Sequence, residues 1–277
     1  MPGVFAQTLQ PGIISLFSST SSQPLSLATR VFASSQLTQD SFVSILHDDT
    51  DDEESIIVSH DQHKIRNVKF RGSDSASSSS SSTTNHKPVN IRSKVLHIQA
   101  PDVRSTGVEF GSLKRDPDGL GIQANWLHLS VKDVGQMFYF DVGVVDERGT
   151  RAEPKVYTSS DRTKPILINV PLRFPTESTH RLTHWCTISL NLAQLLVDAT
   201  SFPAYVTSSS SSGQHNRQQT RPIRFAKFSQ LLCVQVHANC RLRRIWCTSE
   251  AGGVPGDGMI LRGWQTELGL FAAEPQE

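Results

Sequence analysis

No run of apolar residues in this chain approaches the ~18–20 needed for a helix to span a bilayer, so no helical membrane anchor is expected. There is no Asn-x-Ser/Thr sequon. The opening residues, MPGVFAQTLQPGIISLF, lack a charged leading region, and their apolar stretch is too short for a secretory signal. These absences predict a cytosolic or nuclear protein, where thiols stay reduced. Cysteine is scarce: Cys186, Cys233, Cys240 and Cys247 form no Cys-x-x-Cys pair. That spacing argues against a zinc site and predicts four small residues packed in or near a core. An excess of charge is also missing, since 27 basic side chains meet 26 acidic ones for a net charge of +1. Such a balance sets up no long-range field toward nucleic acid or an anionic membrane surface.

Chemistry-bearing motifs are lacking too. The chain contains no Gly-x-x-x-x-Gly-Lys-Ser/Thr, no His-Glu-x-x-His and no Gly-x-Ser-x-Gly. Gly252, Gly253, Gly256 and Gly258 fall in a proline-containing tail that reads as loop rather than as a phosphate cradle. No cofactor and no catalytic residues are expected.

Serine is what the chain has in abundance. Residues 72–85 (GSDSASSSSSSTTN) and 207–220 (TSSSSSGQHNRQQT) cannot bury enough apolar surface to offset the entropy of ordering, and read as loops. An acidic run at 47–54 (HDDTDDEE) reads as a third, solvated loop. Strand-like patterning resumes on both sides of the two serine-rich runs, so neither reads as a domain boundary. The expected organisation is therefore one domain over about residues 1–250, with inserts at about 47–54, 72–90 and 207–220, and a tail at 251–277.

Between the inserts the dominant hydrophobic period is two. Phe138, Phe140, Val142 and Val144 alternate with Tyr139, Asp141 and Gly143, as a half-buried strand requires. Ile166, Ile168, Val170 and Leu172 repeat the pattern, with Pro171 favouring an edge or a strand end. So do Cys186, Ile188 and Leu190, and again Leu232, Val234 and Val236. Further strands are expected at 95–98, within 122–131 and near Val156 and Tyr157, the last after a turn at Asp146-Glu147-Arg148-Gly149. Only one segment has helical spacing: Asn191 as N-cap, then Leu192, Leu195, Leu196 and Ala199, ended by Phe202-Pro203. Many strands and one short α-helix predict an all-β fold, an antiparallel β-sandwich or jelly-roll-like barrel.

Three constellations are better explained without chemistry. Asp116-Pro117-Asp118-Gly119 has no glutamate at the distance a calcium loop needs, so it reads as a turn. His60 and His63 lie in polar sequence that suits a loop better than a helix presenting both to a metal. Asp48, Asp49, Asp51, Asp52, Glu53 and Glu54 are too crowded for a tuned acid–base pair and are expected to solvate their loop.

The most informative stretch is 231–249, LLCVQVHANCRLRRIWCTS. Its first half alternates as a buried strand, and Ala238-Asn239 suggests a tight turn or bulge. Alternation then breaks at Arg243-Arg244, as one extra residue in a β-bulge would cause. The plain reading is a solvated strand face. The sharper one is a docking surface for an acidic partner, with Arg241, Arg243, Arg244 and Trp246 as candidate contacts, because arginine holds carboxylates bidentately and both residue types are enriched at binding hot spots.

Residues 234–246, VQVHANCRLRRIW, closely resemble a C-terminal signature of the cilia- and flagella-associated protein 20 family. Other blocks agree in order: 5–25 (FAQTLQPGIISLFSSTSSQPL), 98–101 (IQAP), 138–146 (FYFDVGVVD), the Lys-Pro strand at 163–172 and the tryptophan, strand and helix at 185–195. The resemblance implies a β-sandwich with a lone short helix. It also implies a non-catalytic structural role at axonemes and basal bodies, with tubulin, microtubules and axonemal inner-junction proteins as partners. Against the family pattern the serine-rich runs, the acidic run and an extension around residues 103–119 look like insertions. Where the family pattern has an arginine-rich strand after the central turn, this chain has Arg151-Ala152-Glu153-Pro154-Lys155.

Two other functions compete. A nuclear or cytosolic adaptor of the same fold could use the arginine strand on nucleic acid, against which the near-neutral charge argues. A lectin-like role would need Trp126, Trp185, Trp246 or Trp264 as a stacking platform, and packing accounts for the first three more simply.

Overall fold

The structure, a computed structural model, describes residues 5, 9–33, 40–51, 53–59, 93–112, 119–152, 155–157, 169–171, 185–201 and 225–251. In chain order the strands are β1 (Ile13–Ser18), β2 (Ala28–Phe32), β3 (Phe42–His47), β4 (Glu53–Ser59), β5 (Lys94–Gln99), β6 (Gly107–Gly111), β7 (Trp126–Asp133) and β8 (Tyr139–Asp146). They continue with β9 (Arg151–Ala152), β10 (Lys155–Tyr157), β11 (Asn169–Pro171), β12 (Trp185–Asn191), β13 (Phe228–His237) and β14 (Cys240–Thr248). The helix α1 (Leu192–Ser201) follows β12 directly.

The strands form two sheets. The first runs β12-β7-β14-β5-β3-β4, with β1 also pairing β14; the second runs β11-β10-β8-β13-β6-β2, with β9 pairing β8. Every pairing is antiparallel except β10 with β11. One core joins the two inner faces, with Ile45, Leu96, Leu129, Val131, Leu242 and Ile245 from the first sheet and Val108, Phe110, Phe140, Val142, Val144 and Val234 from the second. Phe17 of β1 meets Phe110 of β6 across that layer, ring centroids 6.2 Å apart. Among the described residues neither sheet closes on itself, so the architecture is a sandwich rather than a barrel.

Period-two patterning located β5, β7, β8, β12 and β13 because one side of each packs into the core, and β10 also falls where a strand was expected, whereas β1 to β4, β6 and β9 were not anticipated. Phe138, Phe140, Val142 and Val144 all enter the core, as do Ile188 and Leu190. A register shift lies between Leu231 and Cys233: Leu231 joins Val234 and Val236 in the layer between the sheets, and Leu232, expected in the alternation, is buried as well. Pro171 ends the edge strand β11, while the expected alternation at Ile166 and Ile168 lies outside the described residues. Asn191 caps α1, its Oδ1 accepting the Gln194 N–H at 3.0 Å, and Leu192, Leu195 and Leu196 bury the inner side of the helix.

The turn after β8 is held by a carboxylate. Asp146 accepts backbone N–H groups from Arg148, Thr150 and Ala226 at 2.7–2.9 Å. Burial pushes its carboxyl group up, but these donors outweigh burial and hold it below the usual carboxylate range. Three cysteines are buried and Cys186 is half-buried, all with free thiols, as the composition predicted. The serine-rich inserts at 72–90 and 207–220, the tail beyond Ala251, and His60, His63 and Trp264 lie outside the described residues, as does the 116–119 turn apart from Gly119. No described helix is long and apolar enough to cross a membrane.

Candidate partner-binding face

Strand β14 places the arginines. Cys240, Leu242, Ile245 and Cys247 turn into the core, which leaves Arg241, Arg244, Trp246 and Thr248 on the outer face of the first sheet. A register shift against β7 between Leu242 and Arg244 is the β-bulge expected from the broken alternation, and Arg243 is its extra residue. Ala238-Asn239 is a turn that carries the chain from β13 in one sheet to β14 in the other, not the tip of a hairpin.

Register then stacks side chains in rows across β12, β7 and β14. Trp185, Lys132 and Arg241 share one row, Thr187, Ser130 and Arg244 the next, and Ser189, His128 and Trp246 a third. The four arginine-strand candidates therefore occupy one face, but in different states.

Arg241 is engaged through both terminal nitrogens. Its Nη1 donates to Asp48 Oδ1 at 2.7 Å, and its Nη2 donates to Asp51. Lys132 Nζ donates to the same Asp48 oxygen at 3.0 Å, and the Trp185 indole N–H donates to Asp48 Oδ2 at 2.9 Å. Burial alone would raise the Asp48 carboxyl group; Arg241, Trp185 and Lys132 overcome that and hold it below its ordinary value. Burial opposes the Arg241 charge as well, and the two aspartates more than offset it, so its proton is held more tightly than usual.

The acidic run thus differs from the solvated loop expected of it. Residues 47 and 53 already belong to strands, the turn between them is closed by Asp51 N–H donating to His47 O at 2.8 Å, and the Asp48 side chain is only 13% exposed. Three donors from three strands satisfy the Asp48 carboxylate, which is why it can leave water when its neighbours cannot. Asp51 keeps the expected exposure, at 71%, and has positive φ, +58°. An exposed pair such as Arg241–Asp51 contributes roughly 0–1 kcal/mol.

Arg243 is the open member. Its guanidinium lies over the Trp185 ring, 4.3 Å from the centroid, and among the described residues it has no carboxylate partner. Burial pulls its proton affinity down; Asp48 at longer range opposes this and neighbouring Arg244 adds to it. Its own carbonyl is tied to the Ser19 N–H of β1's end at 2.9 Å. Arg244 is buried.

Trp246 is 3% exposed and stacks on His128 at 5.1 Å between centroids, and Trp126 is also stacked with the imidazole, at 6.4 Å. His128 Nδ1 lies 2.8 Å from Ser189 Oγ and Nε2 lies 2.8 Å from Thr248 Oγ1, whose hydroxyl in turn donates to Glu250 O. That chain of donors leaves Nε2 as the protonated nitrogen and Nδ1 as acceptor. Burial pushes the imidazole down to about 4, so it is neutral and a weak base near neutral pH.

Sequence reasoning found the arginines and Trp246 but missed Asp48, Lys132 and His128 as members of this face. Nothing local distinguishes Asp48 from Asp49, Asp51 or Asp52; its role comes from pairing with residues about 84 and 193 positions away. The second sheet carries a smaller outer stack, with Tyr139 on His237 at 4.1 Å, Phe32 edge-on to the same imidazole, and Asp141 3.3 Å from His237 Nε2.

Known proteins supply a separate line of comparison. A model of the CFA20 domain matches residues 55–210, more than half of the chain. Proteins named Cilia- and flagella-associated protein 20 are similar to it: that of Chlamydomonas reinhardtii is 29% identical over 159 residues, covering 56% of this chain and 66% of the relative. That of Paramecium tetraurelia is 28% identical, covering 56% and 65%, and that of Caenorhabditis elegans 26% identical, covering 56% and 62%. Each match spans a little under two thirds of the relative's length. The matched domain contains β7, β8 and β12, and so Lys132, His128 and Trp185, while β14 follows it. The chain belongs to the CFA20 domain family.

Proposed function

We propose that this protein is a non-catalytic structural component of cilia or flagella, at the axoneme or basal body. In this reading a rigid sandwich face meets tubulin and neighbouring junction proteins. Family membership, together with relatives named for cilia and flagella, carries the proposal. The geometry supports it in a specific way. The outer face of the first sheet is a fixed lattice of stacked rings and ion pairs, and a preorganised surface of this kind loses little conformational entropy on docking. The Ser189–His128 contact does not argue for hydrolysis, because an imidazole held neutral down to about 4 is a poor general base near pH 7.

Within that face Arg243 is the residue to contact an acidic partner. Arg241 already serves Asp48 and Asp51, and Arg244 and Trp246 are buried, so these three build the face on which Arg243 is presented. Arg243 offers a planar fork that has no carboxylate partner among the described residues and is backed by an indole, the combination that dominates binding hot spots. The test is co-sedimentation of the full chain with taxol-stabilised microtubules at low salt. Arg243→Glu should cut binding at least about tenfold while lowering the melting temperature by only a few degrees, through loss of the stack on Trp185. Equal pelleting of wild type and Arg243→Glu would remove the arginine from the contact, and absence of pelleting by wild type would remove tubulin.

A further inference from the structure

The arginine face comes with a carboxylate of its own already seated on it. The turn between β3 and β4 reaches across β5 to β14 and delivers two aspartates to Arg241. The two are not equivalent. Asp48 is half-buried, takes donors from Arg241, Lys132 and Trp185, and ties together β3, β7, β12 and β14. Removing it would leave cations of the sheet without their counterion. Asp51 stands at the mouth of the same site, exposed, with Arg241 as its side-chain partner. Its backbone has left-handed φ, which asparagine and glycine adopt at least as readily as aspartate. Nothing in the packing requires a carboxylate at position 51.

Charge makes the same point. Arg241, Arg243 and Lys132 lie together on this face, and Asp48 and Asp51 are the carboxylates that pair with Arg241 and Lys132 among the described residues. Displacing Asp51 uncovers one arm of the Arg241 fork and adds one unit of positive charge to the site. A carboxylate from outside that approached Arg243 over Trp185 would find its second cation, Arg241, covered by Asp51. The exchange substitutes one exposed carboxylate for another on the same fork.

We infer that Asp51 is an internal competitor for an acidic peptide segment, which docks across Arg243 and Arg241 by displacing the Asp51 carboxylate while Asp48 stays in place. This rests on the reading of Arg243 as the partner contact. It adds the extent of the surface, two forks rather than one, and the reason that affinity is held down in the resting protein. Asp48 and Asp51 precede the matched domain at 55–210, and Arg241 and Arg243 follow it.

The experiment measures binding of a fluorescent glutamate-rich dodecapeptide to the full chain by anisotropy, at low and at high salt. Asp51→Asn and Asp51→Gly both remove the carboxylate without disturbing the turn, and two chemistries guard against a folding artefact in either. Both should tighten binding roughly threefold to tenfold at low salt, with the gain shrinking as salt screens the exposed pair. Arg243→Glu should abolish binding in either background. If wild type binds, Arg243→Glu does not, and the Asp51 variants match wild type or bind more weakly, the competitor idea is wrong and the arginine contact survives. If the peptide binds wild type and Arg243→Glu equally, or binds neither wild type nor the Asp51 variants, the contact itself is wrong and the competitor idea falls with it.

Discussion

Asp48→Ala should be the most damaging single change on the outer face of the first sheet. The substitution deletes an acceptor that serves the Arg241 guanidinium at 2.7 Å, the Lys132 ammonium at 3.0 Å and the Trp185 indole at 2.9 Å. Breaking a fully buried ion pair from one side costs about 3–5 kcal/mol, because the remaining charge is left in a poor environment. Here the side chains of Asp48 and Arg241 are 13% and 15% exposed and water reaches the survivors, so about 2–3 kcal/mol is the better expectation. For a domain of this size that corresponds to a fall in melting temperature of roughly 5–10 °C. Asn at the same position keeps an acceptor and should lose about half as much. The sign of the pH dependence follows from the direction of the shift. A carboxyl group held below its ordinary value stabilises the fold at all pH above its unfolded value near 3.8, and that contribution is lost as pH falls through the folded value. Urea denaturation of wild type, Asp48→Ala, Asp48→Asn and the exposed-site control Asp49→Ala, at neutral pH and near the acid limit, measures all of this. The gap between wild type and Asp48→Ala should be wide at neutral pH and narrow in acid. A gap below about 0.5 kcal/mol at neutral pH, equal to that of the control, would refute the assignment of Asp48 as the tie between four strands.

Other positions make independent predictions. His128 is held neutral by burial, with its proton affinity pushed down to about 4, so the unfolded chain binds a proton here between about 4 and 6.5 that the folded chain refuses. Stability should fall by about 3 kcal/mol from this group as pH drops through that window, and His128→Gln should flatten the fall; an NMR titration with the His128 ring titrating near 6.5 would contradict it. Burial pushes the Cys186 thiol up to about 12 and raises Cys240 and Cys247 as well, so a disulfide reagent should be nearly silent on the folded protein and label all four cysteines in urea. Gly111 has φ of +71° and a Cβ there would overlap the Leu232 carbonyl oxygen, so Gly111→Ala should cost about 3 kcal/mol or more in a melt, far above Gly149→Ala, where a Cβ meets open space.

The strands were legible because burial on one side imprints a local signal. Phe138 to Val144 declares its dry face by alternation alone, and Asn191 with the leucines after it declares a capped helix. The bulge at Arg243 was visible too, since inserting one residue flips the pattern that follows. What could not be read was anything set by which strand lies beside which. The outward rows on β12, β7 and β14 depend on pairings across dozens of residues, and so does the difference between Arg241, closed by the β3–β4 turn, and Arg243, left open over Trp185. Asp48, Asp49 and Asp51 look alike in sequence, and only the fold selects Asp48 for burial. The same holds for Trp246, named as a surface contact for its residue type and found stacked under His128.

The most direct test of the structural role is where a tagged full-length copy resides in its native cell before and after extraction with detergent and salt. Retention on axonemes or basal bodies, with Arg243→Glu released by the same extraction, is the expected result. Complete extraction of wild type by detergent, with no axonemal or basal-body signal left, would contradict a structural role in cilia.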